Sequence, residues 1–211
     1  MAGTDQSWTY RGYTLRSGRP EEAEAYYAAG FARPDREVAR LTGSSLSYDR
    51  EQVLAYFHRC LVAADRYDFL LIAPDGRIVG ESVIHEIDWD ARCADFRICL
   101  FHTEDCGRGV GSWAVRRTRD FAFEVLALHR LELDVYAINP RAERAYLAAG
   151  FRREGVRREA IPMDGGWTDD ILMAILEGEW REQKEREAAC RPSGYSAAAG
   201  SDGRDIKENK L

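Results

Sequence analysis

The sequence predicts an α+β domain with a mixed, mostly antiparallel central sheet flanked by helices. Three observations carry that expectation. Helical patterns precede a run of strands, three of those strands follow one another across short polar turns, and the chain then alternates strand and helix before closing in a hairpin.

Residues 10–15 alternate like a short strand, and Pro20-Glu21-Glu22 then opens a helix, with proline near the first position and acids in the first turn. The spacing of Val53, Leu54, Phe57 and Leu61 predicts a second helix over residues 48–64, capped by Ser47 or Asp49. From Tyr67 the period changes. DFLLIA, the turn at residues 74–77, IVGESVIHEIDW, a polar turn at residues 90–92 and ADFRICLF read as a three-stranded antiparallel meander. In CGRGVGSWAVRRTRDFAFEVL, residues Val110, Trp113, Ala114, Thr118, Phe121 and Val125 form the apolar stripe of a helix that follows a glycine-rich turn. LELDVYA is a strand, residues 140–149 a short helix, and FRREGVRREAI with WTDDILMAIL a hairpin around residues 164–166. The folded domain is expected over residues 1–180. Residues 181–211, charged and helical at first and then rich in Ser, Gly and Ala, are expected to be a disordered tail.

Acids outnumber bases 36 to 30 for a net charge of -6, and no basic arm is present to release counterions from a phosphate backbone, which argues against nucleic acid as a partner. Cys60, Cys93, Cys99, Cys106 and Cys190 are scattered without metal-ligand spacing, as are His58, His85, His102 and His129. No metal site is implied, and reduced thiols fit a cytoplasmic protein. No stretch approaches the ~20 apolar residues of a membrane span, nor does the N-terminus look like a signal peptide.

Chemistry enters at Cys106-Gly107-Arg108-Gly109-Val110-Gly111, between a strand and a helix. Glycines let the backbone approach a ligand, and the orphan N–H groups of a helix N-terminus favour an anion such as a pyrophosphate. Arg108 could add a full charge. A P-loop is excluded, because G-x-x-x-x-G-K-[ST] is absent. Gly109, Gly111 and Ala114, with Glu132 and Asp134 downstream, imitate a dinucleotide fingerprint, but the antiparallel meander ahead of them does not suit βαβ units.

After LELDVYA stands N-x-x-A-x-x-x-Y-x-x-x-G-F, from Asn139 through Ala142 and Tyr146 to Gly150 and Phe151. Together with the G-x-G-x-G turn some 30 residues earlier, this resembles the acetyl-CoA site of GCN5-related N-acetyltransferases. FRREGVRREAIPMDGGWTDDILMAIL is similar to the closing hairpin of the subgroup of ribosomal-protein N-terminal and spermidine acetyltransferases, and IVGESVIHEIDWDARCADFRICL also resembles the spermidine enzymes. The likeness covers residues 10–176. Cys106 departs from the glutamine or arginine of many members.

That resemblance implies acetyl-CoA as cosubstrate, held by Gly107, Arg108, Gly109, Val110 and Gly111, and direct transfer to an amine in a ternary complex. It also implies a strand at residues 96–101 that splays from LELDVYA and leaves N–H groups near Cys99 and Leu100 for the pantetheine and thioester carbonyl. Tyr146 would face the sulfur as general acid. Asn139 would touch the pantetheine or brace the strand end. A protonated amine also needs a base. Strand alternation puts Glu86 with Ile84 and Asp88 and makes it the candidate, with Glu81 and Asp95 as substitutes. Glu86, Asp88, Asp90, Asp95, Glu104 and Asp105 would draw a cationic acceptor such as a polyamine or an aminoglycoside, while a protein N-terminus stays equally open. A homodimer through strands near the closing hairpin is expected by resemblance. A dinucleotide-dependent oxidoreductase and a non-catalytic CoA-binding module remain as alternatives.

Overall fold

A computed structural model describes residues 6–189. Of the tail expected over residues 181–211, residues 181–189 are helical and the rest lies outside the described residues. The chain forms one eight-stranded sheet in the order β1-β2-β3-β4-β5-β6-β8-β7, in which only β5 and β6 run parallel. In sequence the elements are β1 (Ser7–Tyr10), β2 (Tyr13–Ser17), α1 (Ala23–Gly30), α2 (Arg36–Thr42), α3 (Arg50–Val62), β3 (Tyr67–Ile72), β4 (Ile78–Asp88), β5 (Cys93–Leu100), α4 (Val110–Glu124), β6 (Arg130–Tyr136), α5 (Pro140–Ala148), β7 (Arg152–Met163), β8 (Gly166–Leu176) and α6 (Glu177–Ala189). One parallel pair in an otherwise antiparallel sheet is incompatible with a dinucleotide fold built from successive βαβ units.

Several expectations shift. The single strand at residues 10–15 is a hairpin, broken where Arg11 and Gly12 both take left-handed φ values of 51° and 82°, the geometry of a two-residue turn. The helix expected from Pro20 begins as a 3-10 turn, Pro20–Glu22, and becomes α1. Between the two caps considered for α3, Asp49 is the one used, accepting from the Gln52 N–H at 2.8 Å. Helix α2 is additional, capped by Asp35 and closed by left-handed Gly43. Val125 leaves the expected stripe of α4, since it follows the last turn and is exposed.

The sheet buries both faces. On one lie Phe69, Leu71, Ile84, Phe96, Leu133 and Met173 under α4 and α5, and on the other Leu70 and Ile78 under Tyr26, Val53 and Phe57 of α1 and α3. Strand β4 is buried from Ile78 through Ile84, and the two polar residues within that stretch are satisfied, Glu81 by Tyr26 and Arg97 and Ser82 by the Thr118 hydroxyl at 2.7 Å.

The expected domain end at residue 180 falls inside α6. Its Trp180 stacks on Phe123 with centroids 5.2 Å apart and donates Nε1–H to Asp120 at 3.0 Å. Fully buried Arg119 donates to Asp120 at 2.7 Å, to the Ala149 carbonyl at 2.5 Å and to Glu187 at 3.1 Å. Burying a guanidinium requires such pairing, and removing one partner strands the other. Asp120→Ala should therefore destabilise the fold by about 3–5 kcal/mol, read as a lower urea midpoint at unchanged slope.

Among the described residues no helix is long and apolar enough to cross a membrane.

Candidate active site

Strands β5 and β6 pair only over Cys93↔Arg130, Ala94↔Leu131 and Asp95↔Glu132. Beyond that, β5 follows β4 as far as Leu100↔Gly80, while β6 follows β8 as far as Tyr136↔Asp170, and the two diverge. The Phe101 N–H donates to the Val79 carbonyl at 2.9 Å. Ladder alternation then turns the Cys99 N–H toward β4 and those of Ile98 and Leu100 into the gap. Of the two expected backbone donors, Leu100 faces the opening. Cys99 instead lends its side chain, and Ile98 is the added donor.

The gap widens into a cleft of about 600 Å³, walled by β5, β6, α5, α2 and the glycine turn. Gly107 and Gly109 take φ values of 78° and 77°, and a Cβ built at either meets nothing within 4 Å, so the loop presents bare backbone to open space. Gly109 caps α4, whose first N–H groups at Val110, Gly111 and Ser112 have no partner within the helix. Val110 contributes backbone only, since its side chain is buried in the core. Arg108 turns away, donating to the Tyr13 hydroxyl and the Glu104 carbonyl, each at 3.2 Å. Two arginines do line the cleft, Arg97 on β5, which is paired with Glu81, and Arg141 at the start of α5, beside the glycine turn. Left-handed glycines, helix-terminal donors and a guanidinium together fit a pyrophosphate.

Asn139 caps α5, its Oδ1 accepting from the Ala142 N–H at 3.2 Å, while its Nδ2 donates to the Leu41 carbonyl at 3.4 Å. It braces the end of β6 against α2. Tyr146 is 6% exposed and lines the cleft, with Phe96 and Phe151 edge-on at 6.2 and 6.0 Å. Burial first, and Cys99 second, push its phenol above the usual range, so it stays protonated. Burial likewise pushes the Cys99 thiol up to about 12, with Glu81 adding to it, which makes it a poor nucleophile.

Glu86 is not in the cleft. A β-bulge between His85 and Asp88 gives it a φ of 54°, and its side chain is 76% exposed beside the His85 ring. Alternation fails there, and Ile84 points into the opposite core. Glu81 accepts from the Tyr26 hydroxyl at 2.7 Å and pairs with Arg97, so it is engaged. The groups that do line the cleft are His85 and Asp95, direct cross-strand partners on one sheet face. His85 is held below the usual imidazole value by burial and by Arg97, hence neutral at neutral pH. Asp95 is raised to about 6 by burial, then by Glu132 and Glu86. Sequence reasoning also missed Ser112, Asp134, Arg141 and the α2 residues Val38, Leu41 and Thr42 as cleft residues. Only the Asp35 cap and Gly43 signalled α2.

Residues 13–152 match the acetyltransferase (GNAT) domain family. The probable N-acetyltransferase YjcK of Bacillus subtilis is 32% identical over 128 residues, covering 60% of this chain and 70% of that protein. A spermidine N(1)-acetyltransferase of Vibrio cholerae is 31% identical over 108 residues, 51% of this chain and 62% of that protein. The Vibrio cholerae spermidine N-acetyltransferase structure with CoA and spermine superposes with a TM-score of 0.72 at 22% identity, over 82% of this chain and 99% of that one, and so shares the fold. The splayed strands and glycine turn agree with the match in sequence, and the chain belongs to the GNAT acetyltransferase family, as an acetyl-CoA-dependent N-acetyltransferase.

Proposed function

We propose that the acceptor is a small cationic primary amine of the polyamine class, attacked in a ternary complex with Tyr146 as proton donor. The observation that carries this is the pairing of opposite chemistries across one cleft, a protonated phenol on α5 and acids on the far face of the sheet. Resemblance to spermidine acetyltransferases supports it.

When bound, acetyl-CoA supplies a thioester. Gly107, Gly109, Gly111 and the N-terminus of α4 hold its pyrophosphate, with Arg141 as counter-charge. The Ile98 and Leu100 N–H groups orient the pantetheine arm and polarise the carbonyl. Tyr146 holds the proton that a departing sulfur needs. Neutral His85 takes the proton that the amine must lose, and Asp95 attracts the ammonium before that loss. Both act where Glu86 had been expected.

Thiol release should be measured against spermidine, 1,4-diaminobutane and a short peptide with a free N-terminus. Turnover on the amines supports the proposal, and turnover on the peptide alone would remove it. The Asp95 carboxyl is charged only above about 6. Accordingly kcat/KM for the amine should fall as pH drops through that value, and Asp95→Asn should flatten this part of the profile, leaving the His85 limb. The same raised value means that ionised Asp95 disfavours the native state: its protonation in the folded chain stabilises the fold below about 6, and that gain is lost as pH rises through it.

Edge strand β7 and hairpin residues Val156 and Trp167 are exposed and offer a surface for a second copy. One Vibrio cholerae neighbour is described as dodecameric. Sedimentation of the whole chain tests self-association. The free thiols of Cys60, Cys93, Cys99 and Cys106 suit a reducing, cytoplasmic setting.

A further inference from the structure

Along β6, Leu131, Leu133 and Val135 are buried in the core under α4 and α5, so Glu132 and Tyr136 point to the other face of the sheet. That face also bears Asp95, in register with Glu132, and its cross-strand partner His85. Helix α2 stands over it: a Cβ built at Gly43 would meet the Tyr136 hydroxyl oxygen at 2.2 Å, and Val38, Leu41 and Thr42 wall the cleft. Seven residues, of which only Val38 and Ala39 are buried, give α2 little apolar packing to hold it in place. Polar ties hold it at both ends. At the C-terminal end Asn139 donates to the Leu41 carbonyl at 3.4 Å. At the N-terminal end Asp35 uses both carboxylate oxygens. Its Oδ1 accepts from the Glu37 and Val38 N–H groups at 2.8 and 3.1 Å and caps the helix, while its Oδ2 accepts from the Thr103 N–H and hydroxyl at 2.9 and 2.8 Å. A cap needs one oxygen; the second is committed to a distant segment, the link between β5 and the glycine turn. In the same link His102 donates Nε2–H to the Ala29 carbonyl of α1 at 2.8 Å. These donors, the Thr103 N–H first, hold the Asp35 carboxyl down at about 2, so it is ionised at any working pH and its bonds are charge-assisted.

We infer that Asp35 is a positioning residue for acetyl transfer: it clasps α2 to the chain that enters the pyrophosphate turn, and so fixes the wall against which the acceptor amine is held. This rests on the amine sitting on the Asp95 and His85 side of the cleft. The two ends of the clasp are not equally firm. The turn is anchored between β5 in the sheet and the 15 residues of α4, whereas α2 has few other holds. Loss of the clasp therefore displaces α2 and leaves the backbone donors of the glycine turn in place. Its effect falls on the amine rather than on acetyl-CoA.

The test compares Asp35→Ala, Asp35→Ser and Thr103→Ala in steady-state turnover of spermidine, 1,4-diaminobutane and a short peptide with a free N-terminus, with calorimetry of acetyl-CoA and hydrogen exchange over residues 36–42. Serine still caps α2, but its single, shorter hydroxyl cannot also reach Thr103. Asp35→Ser should therefore raise the amine KM roughly 10-fold, as Asp35→Ala does, and Thr103→Ala roughly threefold, because its backbone donor remains. In all three, kcat and the acetyl-CoA Kd should stay within about threefold of wild type, and the α2 amides should exchange faster. Thr103→Ala should add nothing further in the Asp35→Ser background, the non-additivity of two groups that act through one contact. A wild-type KM in Asp35→Ser would reduce the residue to a helix cap and overturn the clasp. So would equal losses for amine and acetyl-CoA, or an undiminished Thr103→Ala effect in the Asp35→Ser background. Should the Asp35 variants fold poorly, Thr103→Ala decides alone, since it removes one exposed hydroxyl, and an unchanged amine KM there sinks the idea. Turnover of the peptide alone, with the same response to these variants, removes the polyamine class and leaves the clasp. Polyamine turnover with KM untouched in every variant gives the reverse.

Discussion

Replacing Tyr146 by phenylalanine should lower kcat roughly 100- to 1,000-fold while leaving acetyl-CoA affinity within about twofold, the range expected for a lost general acid. The substitution removes one oxygen. The ring stays packed between Phe96 and Phe151, so the fold and the cleft wall are retained. Burial keeps the wild-type phenol protonated at all working pH values, so its proton is available to the departing sulfur. Initial rates of thiol release against acetyl-CoA, with calorimetry on the same samples, separate the two parameters. An unchanged kcat would mean that the thiolate leaves without help from this residue.

Gly109→Glu should raise KM for acetyl-CoA by 100-fold or more. Two effects combine. The φ of 77° is a conformation that a side chain adopts at a penalty of about 1–2 kcal/mol, and the added carboxylate would sit at the helix N-terminus where an anion binds. Gly109→Ala carries the strain without the charge, so it should weaken binding by much less, and the difference isolates the electrostatic part. Equal effects of alanine and glutamate would show that the loop acts through its shape alone.

Much of this architecture was legible because local chemistry set it. Asp49 caps α3 through its own side chain, Gly109 ends a strand-to-helix turn, and the spacing from Asn139 to Phe151 puts a cap, a tyrosine and a closing glycine on one short helix. What escaped was set by pairing between distant segments. Nothing in residues 10–15 marks the break at Arg11 and Gly12, since the sequence lacks the Asn-Gly signal of a tight hairpin. Seven residues of α2, with only Val38 and Ala39 buried, are too few for a periodicity. The bulge that expels Glu86 arises from the register of β4 against β5 and leaves no mark on the polar alternation of HEID. Likewise the spacing could not say that Arg108 would turn toward Tyr13 and leave Arg141 to line the cleft.

Direct transfer across the splayed strands is the central claim, and Cys99 is the group that tests it, since the rival double-displacement route needs a cysteine in the cleft to carry the acetyl group. Its thiol is pushed up to about 12, so little thiolate exists at neutral pH. The most direct measurement is a matrix of initial rates in which acetyl-CoA and 1,4-diaminobutane are varied together and thiol release is followed. Intersecting double-reciprocal lines are the expected result, because both substrates must occupy the cleft before the acetyl group moves. Parallel lines, with an acetylated enzyme recovered in the absence of amine, would contradict it.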